Sequence, residues 1–277
     1  MTDYMPCPIC KTNSWTAFAK RTFQKEDIDN AKSYNIDVFR FIFEVWYPGT
    51  ESLTFENVYC NNCGFSGSSP RPTVSDLDNL RRPNKNKSAK SLPEIDKEIA
   101  AKRSKYMYDY IGKHYDISKA DKVLDYGGMD GNLMKEFLDH KKDCYLIDYC
   151  PVSIDGVKKI GNTVYDLEKN DKFDIIICNH IVEHLADPRK TLEILVEHLT
   201  EDGILFVEVP MEIWKYPPLL RQPNPLTHVS FFTPNSLSNL FTASGASVIK
   251  CNLMEYLHTS SDWNPGIRCI GKRSIPN

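Results

Sequence analysis

Three groups of residues have types and spacing that could do chemistry. Four of the nine cysteines form two C-x-x-C pairs, Cys7-Pro8-Ile9-Cys10 and Cys60-Asn61-Asn62-Cys63-Gly64. Each pair can offer two thiolates from one side of a tight turn, and two such turns complete a tetrahedral four-thiolate zinc site. Gly64 suits this turn because it tolerates positive φ. A redox-active pair is the rival, but neither motif leads from a buried strand into a helix. Four thiolates leave no open coordination position, so the metal would be structural. The second group is Lys122–Gly131, K-V-L-D-Y-G-G-M-D-G, in which an acid, Asp125, precedes glycines 127, 128 and 131. Without a Cβ, these glycines let a ligand lie against the backbone. The dinucleotide fingerprint wants G-x-G-x-x-G. Here the glycines are adjacent, and the acid ahead of them would repel a pyrophosphate but suits a ligand with an ammonium group. The third group is His180, His184 and His228. Histidine is the side chain whose ordinary pKa suits proton transfer near neutral pH.

These residues need elements to hold them. Val123-Leu124 followed by the glycines and by Asn132–Leu138 reads as strand, tight turn and helix. That places the glycine turn at the carboxyl end of a parallel strand, where open α/β sheets bind ligands. Cys144–Asp148 reads as a second buried strand, and its terminal acid, Asp148, can accept hydrogen bonds from both hydroxyls of a ribose. Phe173–Asn179 reads as a buried strand, followed by a polar break and a helix from about Pro188. Gly203–Pro210 supplies a further strand, and Thr233-Pro234 is a helix start, with an N-cap followed by proline. A long helix is expected from Glu94 to about Tyr115, with Ile95, Ile99, Tyr106, Tyr110 and Ile111 on one side. Between the cysteine pairs, Val38–Val45 and Leu53–Tyr59 alternate like strands. Their aromatics suit the core of a small metal-clamped β layer. The expected division is a zinc-binding module at 1–75, a linker at 76–92 that includes the basic run Arg81–Lys87, and a larger domain at 93–277.

Composition bounds the possibilities. The chain has 277 residues, and 41% hydrophobic content is enough to pack one large domain and a small one. A formal net charge of −3 argues against broad attraction to nucleic acid or anionic membranes. The polar N-terminus lacks an apolar signal region, and no apolar run is long enough to span a bilayer. A cytoplasmic protein is expected. An odd number of cysteines disfavours a complete disulfide framework.

Asp125-Tyr126-Gly127-Gly128-Met129-Asp130-Gly131 resembles the first motif of the class I S-adenosylmethionine (SAM)-dependent methyltransferases, D-x-G-x-G-x-G, with the central glycine displaced by one place. Phe173–Pro188 closely resembles their fourth-strand motif, F-D-x-I-x-x-x-x-V-x-E-H-x-x-D-P. Cys60–Thr73, C-x-x-C-G followed by P-R-P, resembles the zinc-knuckle lead-in of methyltransferases from sugar and natural-product pathways. Thr227–Leu237 is similar to their H-x-x-F-F-[ST]-P-x-S-L segment. The resemblance covers nearly the whole chain. It implies an α/β fold with a Rossmann-like seven-stranded sheet, ending in a hairpin of roughly Ala246–Met254 and Gly266–Arg273, and preceded by a zinc-ribbon-like β module. It implies SAM as cofactor, with Asp125, Tyr126, Gly127, Gly128, Gly131, Asp148, Tyr149, Asp166 and Asn179 around it, and structural zinc on Cys7, Cys10, Cys60 and Cys63. Asp166 would meet the adenine amino group; its alternative is a simple turn acid.

Methyl transfer from a sulfonium is an in-line displacement, so alignment of the acceptor and exclusion of water come first. A hydroxyl or acidic carbon acceptor also needs a base. His228, at the end of the Pro-rich stretch Met211–Thr227, is the first candidate. In related sugar C-methyltransferases the matching histidine, and one matching His184, are implicated in catalysis. The alternatives are that His228 caps the nearby helix or packs on Phe231, and that His184 and His180 brace the cofactor loop. Those C-methyltransferases build their acceptor site with a further C-terminal α/β domain beyond the last hairpin, so a hydroxyl or amine of a sugar, nucleotide-sugar or other small metabolite is the expected acceptor, with C-methylation of a deoxysugar as an alternative. An RNA-modifying enzyme that grips RNA through its zinc module is the second reading. A SAM-binding protein without catalysis is the third.

Overall fold

The computed structural model describes residues 4–28, 39–81, 94–212, 228–258 and 262–274. Most of the basic run, and residues 213–227 of the Pro-rich stretch, lie outside them.

The N-terminal part is built on strands β1 (Trp15–Gln24), β2 (Ser52–Cys60) and β3 (Ser66–Ser69), followed by helix α1 (Val74–Arg81). This helix falls at the start of the stretch expected to be linker. Phe23, Phe39, Phe41, Ile42, Phe43 and Phe55 form a small core of their own. The expected strand at Val38–Val45 is not one: Phe41–Trp46 is a π-helical turn with Phe41, Ile42 and Phe43 all buried. Strand geometry would have sent alternate residues to solvent, whereas a helical turn brings three consecutive apolar side chains into the same pocket.

Helix α2 (Glu94–Gly112) follows, then β4 (Lys122–Tyr126), the short α3 (Lys135–Asp139), β5 (Asp143–Ile147), β6 (Val157–Gly161) and β7 (Phe173–Asn179). Helix α4 (Pro188–Glu197), β8 (Leu199–Pro210), β9 (Ser230–Phe231), α5 (Pro234–Ala243) and the hairpin β10 (Ala246–Leu257) with β11 (Trp263–Arg273) complete the chain. On α2 the inner face is Met107, Tyr110 and Ile111, while Tyr106 is exposed and meets Trp263 edge-on. The expected inward place for Tyr106 is taken by Met107, one position along. Both later helices begin as their sequences dictate. Asp187 accepts from the Lys190 amide ahead of Pro188, and Thr233 and Ser236 form a capping box around Pro234.

The large sheet has seven strands in the order β10-β11-β8-β7-β4-β5-β6. Strands β6, β5, β4, β7 and β8 pair in parallel, and β11 joins β8 antiparallel. The chain starts at β4 in the middle, winds out through β5 and β6, then returns to β7 on the other side. The β4–β7 junction is therefore the switch point of the sheet, where ligands bind in this class of fold. The glycine turn leaves β4 there, and the Asn179–His184 turn leaves β7 beside it. Strand β9 does not join the large sheet. It pairs with β3 through Ser66↔Phe231 and Gly67↔Ser230, so the small sheet, β1-β2-β3-β9, takes its last strand from the residues just after His228.

Candidate active site

Asp125 at the end of β4 is fully buried, and neither carboxylate oxygen accepts a hydrogen bond. Burial, with Asp148 adding its charge and Arg103 opposing, pushes its pKa up to about 7. The glycine turn folds directly over it. A Cβ on Gly128 would lie 2.0 Å from Asp125 Oδ2, and one on Gly127, at φ 77°, would lie 2.5 Å from Ile181 Cγ1. Only glycine fits either place. Met129, also at positive φ, donates its amide to Asp148 Oδ2, and the Cys150 amide donates to Asp148 Oδ1. Asp148 thereby ties the glycine turn to the end of β5 and keeps lone pairs on both oxygens. Asp166 accepts from the Asn162 and Thr163 amides and closes a capping box, so its carboxylate serves its own turn. Two cavities flank the glycine turn. One, of about 270 Å³, is bounded by Arg103, Gly127, Gly128, Met129, Asn179 and His180. The other, of about 60 Å³, lies among Tyr126, Tyr149, Thr163 and Leu185.

Beyond Asn179 the backbone turns at His180, at φ 52°. The His180 ring sits between two buried carboxylates, with Nδ1 3.4 Å from Glu183 Oε1 and Nε2 3.1 Å from Glu208 Oε1. Burial pulls the His180 pKa down, but the two carboxylates outweigh it and the net shift is upward. Glu208 also pairs with Arg268 and lies 3.7 Å from Arg103. Burial raises its pKa, and the His180 hydrogen bond with these cations more than reverses that, to about 2. Both His180 nitrogens are thus engaged inside an ionic network.

His184 and His228 meet edge to face with ring centroids 4.6 Å apart. His184 Nε2 is 3.9 Å from Glu183 Oε1, and the Val229 amide donates to the Glu183 carbonyl, joining the two segments. Glu212 Oε1 is 2.6 Å from His228 Nδ1. Burial lowers the His228 pKa, but Glu212 and then Glu183 outweigh this and raise it. Sequence motifs brought His180, His184 and His228 forward but assigned no role to Glu183, Glu208 or Glu212. A carboxylate's partner is set by the fold when it is not a near neighbour in sequence.

Arg71 was also passed over, although it stands between two prolines in the P-R-P run. Its half-buried guanidinium donates to the carbonyls of Leu185, Ala186 and Val229 and to Ser230 Oγ. Five N–H donors in a rigid fork allow one side chain to fasten its own segment to two others. The N-terminal module is thereby clamped to the two segments that carry His184 and His228.

The four cysteines gather as their spacing predicts. Their sulfurs all lie within 4.8 Å of one another, with Cys7–Cys63 at 3.5 Å and Cys10–Cys60 at 3.6 Å. Each knuckle turns through a residue at positive φ, Lys11 after Cys10 and Gly64 after Cys63. The separations are too long for disulfides and match the edges of a tetrahedron with metal–sulfur bonds of about 2.3 Å.

A family model described as a methyltransferase domain matches residues 82–250. The chain belongs to that methyltransferase family. The methyltransferase is 30% identical over 123 residues to a ubiquinone biosynthesis O-methyltransferase of Bartonella quintana, a match covering 41% of this chain and 49% of the relative. It is 27% identical over 117 residues to the enzyme of the same description from Rickettsia canadensis, covering 38% and 49%. The matched stretch is about half the length of these relatives. Among solved structures, a SAM-dependent methyltransferase of Methanosarcina mazei aligns with a TM-score of 0.48 and 15% identity, over 61% of this chain and 99% of that one. One from Clostridium acetobutylicum aligns at 0.47 and 12%, over 66% and 95%. The residues around the glycine turn fit the SAM cofactor that the methyltransferase fold implies. The unpartnered Asp125 carboxylate lies beneath a turn with no side chain in the way, next to a cavity walled by that turn. When bound, the cofactor supplies an electrophilic methyl group. Among the described residues, no helix is long and apolar enough to cross a membrane.

Proposed function

We propose that this methyltransferase methylates a hydroxyl or amine of a sugar, nucleotide-sugar or related small metabolite, with the cluster around His228 activating the acceptor. The observation that carries this reading is the convergence of Glu183, His184 and His228 one turn beyond Asn179 and His180, which themselves wall the cavity beside the glycine turn. Acceptor activation and cofactor binding are thus neighbours on one switch point. The curated relatives are named as O-methyltransferases of small-molecule biosynthesis, which supports an oxygen acceptor. The sugar assignment rests on the resemblance of Thr227–Leu237 to sugar methyltransferases.

In this reading Asp125 answers the ammonium of the cofactor, Asp148 its ribose, and the small cavity near Tyr126 and Tyr149 its base. His180 braces the β7 turn. Cys7, Cys10, Cys60 and Cys63 hold a structural zinc, and the module at 1–75 is a unit joined to a catalytic unit at 93–277. The test is calorimetry with SAM and its demethylated product, followed by a mass-shift screen of nucleotide sugars with a panel of RNA oligonucleotides beside it. Binding of both cofactor forms and a gain of one methyl on a nucleotide sugar is the expected result. Methylation of RNA instead would overturn the acceptor assignment.

A further inference from the structure

Among the described residues Glu183 shares with Asp125 an unusual state for an acid. It is 1% exposed, and neither carboxylate oxygen accepts a hydrogen bond. A desolvated carboxylate in that state is unfavourable unless a positive charge answers it. His180 at 3.4 Å answers one side, but that ring is shared with Glu208. On the other side stand two imidazoles. One ligand atom from each of Glu183, His184 and His228 can be chosen so that all lie within 4.8 Å of one another. Two imidazoles and one carboxylate around a common point form a donor set for a divalent transition ion, and disfavour magnesium or calcium, which prefer oxygen alone.

A second, independent feature supports the same conclusion. Glu212 stands 2.6 Å from Nδ1 of His228. The pair is a close charge contact without hydrogen-bond geometry, and a carboxylate placed beside one imidazole nitrogen leaves the other to serve as donor, as carboxylates behind metal-bound histidines do. The backbone bond from Val229 to Glu183 holds the two segments in register, so the three donors are already assembled.

We infer that Glu183, His184 and His228 bind a divalent transition-metal ion, distinct from the one expected on the four cysteines. Three protein ligands leave open coordination positions, as at catalytic rather than structural sites. This deepens the proposed function and rests on it for the purpose of the ion, though not for its existence. An ion there would take the acceptor hydroxyl into an open position and lower its pKa. The hydroxyl proton passes to solvent, the oxygen bonds to the methyl carbon, and the methyl–sulfur bond breaks to leave the neutral thioether. The central role of His228 is then to hold the ion.

The test is cobalt titration of the full-length, metal-stripped chain, without cofactor or acceptor, followed by visible absorption. Cobalt on thiolates gives strong charge-transfer bands, whereas cobalt on nitrogen and oxygen gives only weak ligand-field bands, so the two sites are read separately. Two equivalents are expected, one of each kind. His184→Ala and His228→Ala should each lose the nitrogen–oxygen equivalent and keep the thiolate one, whose spectrum also reports that the variant is folded. Glu212→Gln should retain the second site with affinity lowered about 10- to 100-fold. A single, thiolate-bound equivalent in the wild-type chain overturns the inference, as does a second equivalent that survives both histidine substitutions. SAM calorimetry on the unstripped, zinc-loaded protein tests the methyltransferase reading separately, since the cofactor cavity lies on the glycine turn.

Discussion

Cys7, Cys10, Cys60 and Cys63 come in pairs, each pair inside one tight turn, and the fold has only to bring two prefabricated halves together. Glu183, His184 and His228 are assembled differently. Two are neighbours on the turn after β7, but the third arrives from a separate segment, held by a backbone bond to Glu183 and by the Arg71 clamp. The first cluster is closed and saturated by its own four sulfurs. The second has three donors and an incomplete surround. A closed set stabilises structure, while an incomplete one leaves room for a reacting group.

The sharpest way to break the comparison is to attack the closed cluster. Cys60→Ser should abolish the folded state of the N-terminal module, because structural zinc typically contributes on the order of 10 kcal/mol to such units. Zinc content and thermal melting of the purified variant would check this. If the module stayed folded without zinc, the cysteines would not be its organising feature.

His228→Ala should leave the melting temperature nearly unchanged and lower turnover by roughly 100- to 10,000-fold, the range for losing a group that activates an acceptor. Cofactor affinity by calorimetry should not move. A large loss of stability with proportionate loss of activity would place His228 with the structural residues instead.

Arg71→Ala lies between the clusters. It removes the donor to three carbonyls in partly buried surroundings and should cost about 3 kcal/mol or more. Urea unfolding would measure it, and the loss should appear in both the module and the catalytic sheet, since the side chain fastens one to the other.

Gly128→Ala should weaken SAM binding at least about 10-fold, because the new methyl and the Asp125 carboxylate cannot occupy their places together. Calorimetry decides it, and unchanged affinity would mean that Asp125 does not matter to the cofactor.

Asp125 itself should respond to pH. Its folded-state pKa is raised to about 7 from 3.8, so between these values the folded chain keeps a proton that the unfolded chain has lost. The stability associated with this proton is fully present below about pH 4 and is lost as pH rises through 7. Asp125→Asn should therefore melt higher than the wild type at pH 8, by about 2 kcal/mol of stability, and bind SAM more weakly. No gain in stability at pH 8 would show that the carboxylate is already answered by a partner.

What could be read from the residues alone was whatever a few neighbouring positions control. The glycine turn, both helix starts and the knuckles follow from backbone preferences and short-range hydrogen bonds, whereas the last hairpin was implied by the family resemblance alone. The failures came where local pattern competes with packing. Val38–Val45 alternates in places like a strand, yet a small core with room for Phe41, Ile42 and Phe43 together made Phe41–Trp46 helical. Tyr106 and Met107 exchanged faces because helical phase is settled by what the helix packs against.

The tertiary structure alone decided which distant residues became neighbours. Arg71 bonds to groups 114 to 159 positions away, β9 leaves the large sheet to finish the small one, and Glu212 and Glu183 both come close to His228. No local rule fixes such contacts. The order of strands in the two sheets does, because it determines which loops end at the same edge, and at the β4–β7 switch point it brings the glycine turn and the histidine cluster together.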